Sequence, residues 1–350
     1  MQVITIGIDL AKHVFQVHGV DANDKVVFNK PLRRSQVLPF FAKLAPCLIG
    51  MEACASAHYW ARELKKLGHD VRLMPAKDVK AYVKRNKNDS VDAAACGEAV
   101  RRPTVRTVPV KTPEQQAELM QHRVRDLLVR QRTQAINALR SHLAELGIVA
   151  AQGYDGLKVL LAVIADCSDV RLPENARASL SALMAQIASC QAEIGAIEKR
   201  LLAQHRKNAD SKRLETIPGI GVVGASAIVA TVPDASIFKT GRDFAAWIGI
   251  VSREDSTGGK QRLGPISKQG DRYLRRILIV GAFAVIKQAR AHPEKYPWLT
   301  QLLARKPAKV AAVALANKMA RIAWAVLTKK EIYRVTSHHR DTCVVGRLKK

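Results

Sequence analysis

Apolar positions at the start of the chain alternate. Ile4, Ile6 and Ile8 are separated by Thr5 and Gly7, and the run closes on Asp9. A period of two predicts a β-strand, here a central one ending in a carboxylate. Residues 13–20 alternate again, Asp21-Ala22-Asn23-Asp24-Lys25 reads as a turn, and Val26-Val27-Phe28 opens a third strand. Three such strands in succession predict an antiparallel meander. Residues 34–44 then have helical spacing, residues 47–52 read as a short buried strand ending in Glu52, and residues 57–67, 71–75 and 76–83 continue as helix, strand and helix. A meander followed by alternating helix and strand is the order of a ribonuclease-H-like mixed sheet, with its site at the carboxyl edge of the central strands.

The period then changes to three and four. Thr112-Pro113-Glu114 is a helix start with proline in the first turn, and the pattern runs on to Leu146 and stops at Gly147. A second long helix covers residues 173–205, with Leu180, Leu183, Met184, Ile187, Cys190, Ile194, Ile197 and Leu201 on one stripe. Residues 156–164 form a short helix between them. Stripes of this length predict a helical hairpin or coiled-coil arm. Self-association is the expected use, because nothing else in the segment is apolar enough to bury so long a stripe.

Further on, Ile217-Pro218-Gly219-Ile220-Gly221 separates two helical patterns. As G-x-G-x-x-G (Gly219, Gly221, Gly224) it lacks the preceding strand of a dinucleotide loop. As a helix-hairpin-helix its glycines free backbone N–H groups for a DNA phosphate. Residues 252–271 read as a polar loop with paired glycines, leading into a helix with a basic first turn. The expected organisation is a mixed α/β domain over residues 1–110, a helical arm for oligomerisation over 111–207, a mainly helical domain over 208–335, and a basic tail over 336–350.

Charge narrows the class of partner. A net charge of +27 over 350 residues points to nucleic acid before any other partner. No apolar run of membrane-spanning length free of charge and no signal pattern is present, so a soluble cytoplasmic protein with no membrane partner is expected. The cysteines are scattered without a C-x-x-C pair, which argues against a zinc site or a disulfide framework.

Four acids stand out on this background. Asp9 and Glu52 end neighbouring strands. Asp89 and Asp92, three apart behind a helix cap at Asn88 or Asp89, share one helical face. Carboxylates gathered in this way repel unless divalent cations neutralise them, and a pair of Mg²⁺ ions would serve phosphoryl transfer. Lys84, Arg85 and Lys87 immediately before them are suited to holding a phosphate. In the polar stretch, one hydroxyl among Ser256, Thr257 and Ser267 is a candidate nucleophile on phosphorus, with Lys260, Arg262, Lys268 and Arg275 offsetting phosphate charge. Spacing alone does not rank the three hydroxyls. No histidine lies near them in sequence; the N-terminal carboxylates and their Mg²⁺ could supply the activation, provided the two domains, of one subunit or of two, meet at one site.

The chain resembles the DEDD transposases of the insertion-sequence family numbered 110, in particular its subgroup 1111, which is related to the Piv DNA invertases. The resemblance rests on Gly7-Ile8-Asp9-Leu10-Ala11-Lys12, Gly50-Met51-Glu52, Lys87-Asn88-Asp89-Ser90-Val91-Asp92-Ala93, Ile217-Pro218-Gly219-Ile220-Gly221, Ser256-Thr257-Gly258-Gly259-Lys260 and Ile266-Ser267-Lys268-Gln269-Gly270-Asp271, in that order along the chain. It implies a RuvC-like N-terminal domain, a coiled-coil segment and a C-terminal transposase domain with a catalytic serine. It also implies assembly as a dimer or tetramer, and excision and insertion of an element between donor and target double-stranded DNA under a non-coding bridge RNA. Carried over residue by residue, Asp9, Glu52, Asp89 and Asp92 are the metal tetrad and Ser256 is the nucleophile that fits best, with Thr257 standing directly before the glycines. Two other readings compete: a RuvC-like nuclease that hydrolyses nucleic-acid junctions without serine chemistry, and a non-catalytic nucleic-acid-binding protein whose acids only cap helices.

Overall fold

The computed structural model describes residues 2–84, 88–232 and 234–334, and the backbone of Val345–Gly346. The chain divides into two units, Met1–Glu114 and Gln115–Lys350.

The strand patterns of the first unit become five strands: β1 (Thr5–Asp9), β2 (Val14–Val20), β3 (Val26–Arg33), β4 (Leu48–Glu52) and β5 (Asp70–Met74). They form one sheet in the order β3-β2-β1-β4-β5. The first three are an antiparallel meander, and β4 and β5 extend the sheet parallel to β1. The helices are α1 (Val37–Phe41), α2 (Ala57–Lys66), α3 (Ala76–Val79) and α4 (Asp89–Val100). Ile6, Ile8, Phe15, Val17, Ile49 and Met51 are buried in one cluster with Trp60 and Leu64 of α2.

The opposite face is covered by α4, and two glycines decide how closely. A Cβ on Gly7 would stand 1.9 Å from the carbonyl oxygen of Ala93 and 2.3 Å from the Gly97 nitrogen, and one on Gly50 would stand 2.6 Å from the Cys96 oxygen. Helix backbone therefore lies directly on strand backbone. The small residues Ala93, Ala95, Cys96 and Gly97 of α4 permit this, and each is buried.

The second unit begins in α5 (Pro113–Glu145) and continues through α6 (Tyr154–Ala165) and α7 (Glu174–Lys207). Here the reason given for self-association fails. Leu180 and Ile187 of α7 are buried in a cluster with Ala135, Leu139 and Leu143 of α5 and Leu160 and Ile164 of α6. The short middle helix thus closes a three-helix core within one chain, and further helices pack on the rest of α7. What stays open instead is on the first half of α5: Met120, Val124 and Leu127 are 64%, 42% and 45% exposed.

The remaining elements are α8 (Ala209–Glu215), α9 (Val222–Thr231), α10 (Gly241–Ile248), β6 (Ser252–Glu254), β7 (Leu263–Ile266), α11 (Arg272–Ala291), α12 (Pro297–Arg305), α13 (Ala308–Lys329), β8 (Ile332–Tyr333) and β9 (Val345–Gly346). Leu214, Ile217, Phe244, Leu278, Ala316 and Val326 belong to their common core. The stretch read as a polar loop contains a hairpin of β6 and β7. Its strands are short and β6 is exposed throughout, so no apolar alternation marked it. Among the described residues two helices, α7 and α13, are long and apolar enough to cross a membrane by length and composition. In α13 that apolarity serves the core, where Ala312, Leu315, Met319 and Val326 are buried. The basic tail assigned to residues 336–350 lies outside the described residues apart from the backbone of β9.

Candidate active site

Topology brings Asp9 and Glu52 to the same sheet edge, because β1 and β4 are parallel neighbours and each ends in its acid. The second pair arrives on α4. Asn88 caps that helix, its side chain accepting from the Val91 N–H at 2.9 Å, and so leaves Asp89 and Asp92 in the first turn. There the helix dipole favours anions. The first turn is also tied to the meander: Gln16, opposite Asp9 in the β1–β2 register, donates to Asn29, and Asn29 donates to Ser90.

The electrostatics report the convergence. The Asp9 carboxyl is held above its ordinary range, first by burial and then by Asp92, Asp89 and Glu52 in that order. Burial also pushes the Cys96 thiol up to about 12, with Asp9, Glu52 and Asp92 adding to it, so Cys96 stays protonated and unreactive. Among the described residues no three of these side chains close to ligand distance of a common point. An all-carboxylate donor set suits a hard divalent ion.

The hydroxyl candidates sit on the β6–β7 hairpin. Thr257 and Lys260 bridge across its tip, the Lys260 N–H donating to the Thr257 carbonyl at 3.1 Å. Gly258 and Gly259 have φ of +57° and +75°. Positive φ at both central residues is the type I′ turn that strand twist favours, and it explains the paired glycines. Ser256 lies just before the turn. Its hydroxyl donates to the Glu254 carboxylate at 3.2 Å and accepts from the Arg262 N–H at 3.1 Å. Ser267 lies on the far strand side, where its Oγ accepts a long 3.4 Å bond from the Gln269 N–H. Ser256 alone of the three is given a carboxylate partner among these bonds. Sequence reading missed Glu254. The available signal was its spacing of two from Ser256, which in extended chain puts both on one side.

The expected phosphate contacts divide. Lys84, Lys260, Arg262 and Lys268 are exposed. Arg275 instead braces the loop, donating to the carbonyls of Ile248 at 2.8 Å and Gln269 at 3.4 Å. Arg85 and Lys87 lie outside the described residues. Gly219, at φ +87°, packs its backbone against Gly281 of α11 and has no room for a side chain. Gly221 is exposed at the N-terminus of α9 and caps it with no side-chain hydrogen bond. Beside it is a cavity of about 890 Å³ that includes Arg125, Arg130 and Arg276, each with a carboxylate partner.

A mixed α/β domain with four converging acids, followed by a basic, mainly helical region with a hydroxyl-bearing hairpin, has the make-up of an enzyme acting on DNA. Comparison with known proteins agrees. Residues 6–148 match the DEDD transposase model of the IS110 group, and residues 211–297 match the transposase family IS116/IS110/IS902. The chain is 49% identical to a probable family 20 transposase of Pseudomonas aeruginosa, over 95% of this chain and 99% of that protein. It is 38% identical to the transposase for insertion sequence element IS1328 of Yersinia enterocolitica, over 95% of this chain and 98% of that protein. It is 38% identical to the transposase for IS1111A of Coxiella burnetii, over 94% of this chain and 91% of that protein. The chain belongs to the IS110 family of transposases. Its DEDD-type domain implies dependence on a divalent metal.

Proposed function

We propose that this transposase cuts and rejoins double-stranded donor and target DNA through Ser256, in a protein whose RuvC-like (ribonuclease-H-like) domain holds Mg²⁺ on Asp9, Glu52, Asp89 and Asp92. The observation that carries the metal reading is geometric: β1 and β4 are parallel neighbours that end in Asp9 and Glu52, and Asp89 and Asp92 lie in the first turn of α4, which packs on β1. With those four carboxylates as ligands, Mg²⁺ supplies charge stabilisation at phosphorus. The nucleophile reading is carried by the hydrogen bonds at Ser256. A serine hydroxyl is a poor nucleophile at neutral pH and needs a base. Glu254, at 3.2 Å, is within reach of its proton. As the Ser256 Oγ bonds to phosphorus, its proton passes to the Glu254 carboxylate, the bond from phosphorus to the leaving strand oxygen breaks, and that oxygen takes up a proton. The phosphoserine diester retains the bond energy, and attack by another strand's hydroxyl releases Ser256 and seals the DNA. Lys260 and Arg262, exposed on the same hairpin, offset phosphate charge.

Lys84, Arg85, Lys87 and Lys268, and the free α9 amides at Gly221, are read as backbone contacts to nucleic acid. A bridge RNA as second partner follows from the family resemblance and is compatible with the +27 charge. Self-association is assigned to the exposed Met120, Val124 and Leu127, whose spacing of four and three suits a helix seam.

Ser256→Ala tests the mechanism on element-end DNA. The expected result is loss of both covalent adduct and strand transfer, whereas continued cleavage would make the protein a hydrolytic junction nuclease. Asp9→Asn, Glu52→Gln, Asp89→Asn and Asp92→Asn should each abolish cleavage while leaving DNA binding intact. A variant with near-wild-type cleavage removes that residue from the tetrad. Sequencing nucleic acid that co-purifies with the protein tests the RNA partner.

A further inference from the structure

At the sheet edge that carries Asp9 and Glu52, but outside the acids, lies a second cavity of about 890 Å³, with His13, Arg33, Arg34, Tyr59 and Trp60 among its walls. Topology puts it there. β2 starts at Val14, antiparallel to β1 and opposite Arg33 at the end of β3, and α2 starts shortly after Glu52. Aromatic and cationic groups are interleaved in it. Trp60 is fixed by an edge-on contact with Phe15 at 5.0 Å, and the Arg34 guanidinium lies over the Trp60 ring, 5.0 Å from its centroid. Tyr59, its ring 5.2 Å from that of Trp60, is 42% exposed. Three groups are left with chemistry to offer. Neither Arg33 nor Arg34 has a carboxylate partner among the described residues. The Trp60 indole N–H, on a side chain only 3% exposed, has no hydrogen-bond partner in the described structure.

Aromatic faces beside unpaired guanidiniums suit a ligand that is flat on one side and anionic on the other. A nucleotide out of its duplex is such a ligand: its base stacks on aromatic rings or guanidinium planes and its phosphate pairs with arginine. A paired base is shielded inside the stack and offers these walls only its sugar–phosphate edge. A metal ion is repelled by the arginines. We propose that this cavity binds one unpaired nucleotide, its base against Tyr59 and the Arg34–Trp60 stack and its phosphate on Arg33 and Arg34, in a strand that also passes the acids. The proposal rests on the reading of those acids as the site of strand chemistry, and it adds that the strand reaching them is opened on one side.

The test uses the full chain and fluorescence anisotropy with short labelled single-stranded DNA, single-stranded RNA and duplex DNA of one sequence. Tyr59→Ala, at an exposed position that tolerates truncation, should weaken single-strand binding roughly 5- to 100-fold. Duplex binding should stay within about twofold, since phosphate contacts elsewhere carry it. Tyr59→Phe keeps the ring and should bind as wild type. Whichever single strand loses affinity, DNA or RNA, identifies the source of the nucleotide. Unchanged binding of both, equal loss on the duplex, or a loss in Tyr59→Phe matching that in Tyr59→Ala would each overturn the site. Asp9→Asn separates the two claims, because it tests the acids by cleavage and should leave single-strand binding as in wild type.

Discussion

Gly7→Ala is the smallest change that should disable the acids without touching any of them. The added Cβ would sit 1.9 Å from the Ala93 oxygen and 2.3 Å from the Gly97 nitrogen. Ordinary carbon–oxygen contacts begin near ~3.3 Å, so α4 has to retreat by on the order of an ångström. Both obstacles are helix backbone, which no rotamer change can relieve. Overpacking of this kind costs about 1–3 kcal/mol. The larger effect is on chemistry. Ala93 adjoins Asp92, so the retreat carries Asp89 and Asp92 away from Asp9 and Glu52. A misplacement of about 1 Å can lower a rate by roughly 10²-fold. Single-turnover cleavage of element-end DNA in Mg²⁺ reads the rate, urea denaturation reads the stability, and duplex binding, expected unchanged, shows that the rest of the chain is intact. Gly195→Ala is the control. It lies inside α7 with nothing within 4 Å of the new carbon, and should stabilise by about 0.5–1 kcal/mol with no change in cleavage. Cleavage by Gly7→Ala within a few-fold of wild type would show that close seating of α4 on β1 is not what sets the acids.

Three further outcomes follow from other parts of the structure. His122, buried on α5 and sharing a 3.1 Å hydrogen bond with the Tyr273 hydroxyl, is pushed down to about 4 by burial and then by Arg125. The unfolded chain therefore binds the extra proton between pH ~6.5 and ~4, so this contribution is complete above pH ~6.5 and is lost as pH falls toward ~4, by at most ~3 kcal/mol. Urea midpoints should drop less between neutral pH and pH ~5 in His122→Gln than in wild type, and equal drops would exclude His122 as the cause. DNA binding should weaken by roughly three to five decades between about 50 and 200 mM salt if 6–10 phosphates are contacted, and a flat response would dissociate the +27 charge from phosphate binding. Val124→Asp with Leu127→Asp should give monomers of normal helicity by sedimentation, whereas Ile187→Asp, inside the α5–α7 core, should lower stability by several kcal/mol; monomers from Ile187→Asp at full stability would return the association surface to α7.

What could be read from the sequence was what local chemistry dictates. Alternating and short buried apolar runs marked the strands and the acids that end β1 and β4, the cap signal at Asn88 or Asp89 announced the start of α4, and Pro113 announced the start of α5. What could not be read was mostly a matter of partners. The α7 stripe looked unpartnered because α6 lies between the long helices as a short segment, and its fit against Ile187 is a tertiary fact. The hairpin at 252–266 was hidden by strands with no buried face, although Thr257-Gly258-Gly259-Lys260 carries the turn signal by itself. Gly7 and Gly50 read as ordinary strand residues, and their role as the seat of α4 shows only once the helix is in place. Arg275 looked like one more cation for phosphate, yet its guanidinium holds two loop carbonyls.

The most direct test of the serine chemistry is to locate the covalent link. The protein is reacted with element-end DNA in Mg²⁺, quenched with denaturant, digested with protease and nuclease, and the nucleotide-bearing peptide is sequenced by mass spectrometry. The expected adduct is a phosphodiester on Ser256, lost in Ser256→Ala and slowed by roughly two to four decades in Glu254→Gln if that carboxylate is the base. An adduct on Thr257 or Ser267 would contradict the assignment. Cleaved DNA with no adduct at any time point would contradict the serine mechanism itself.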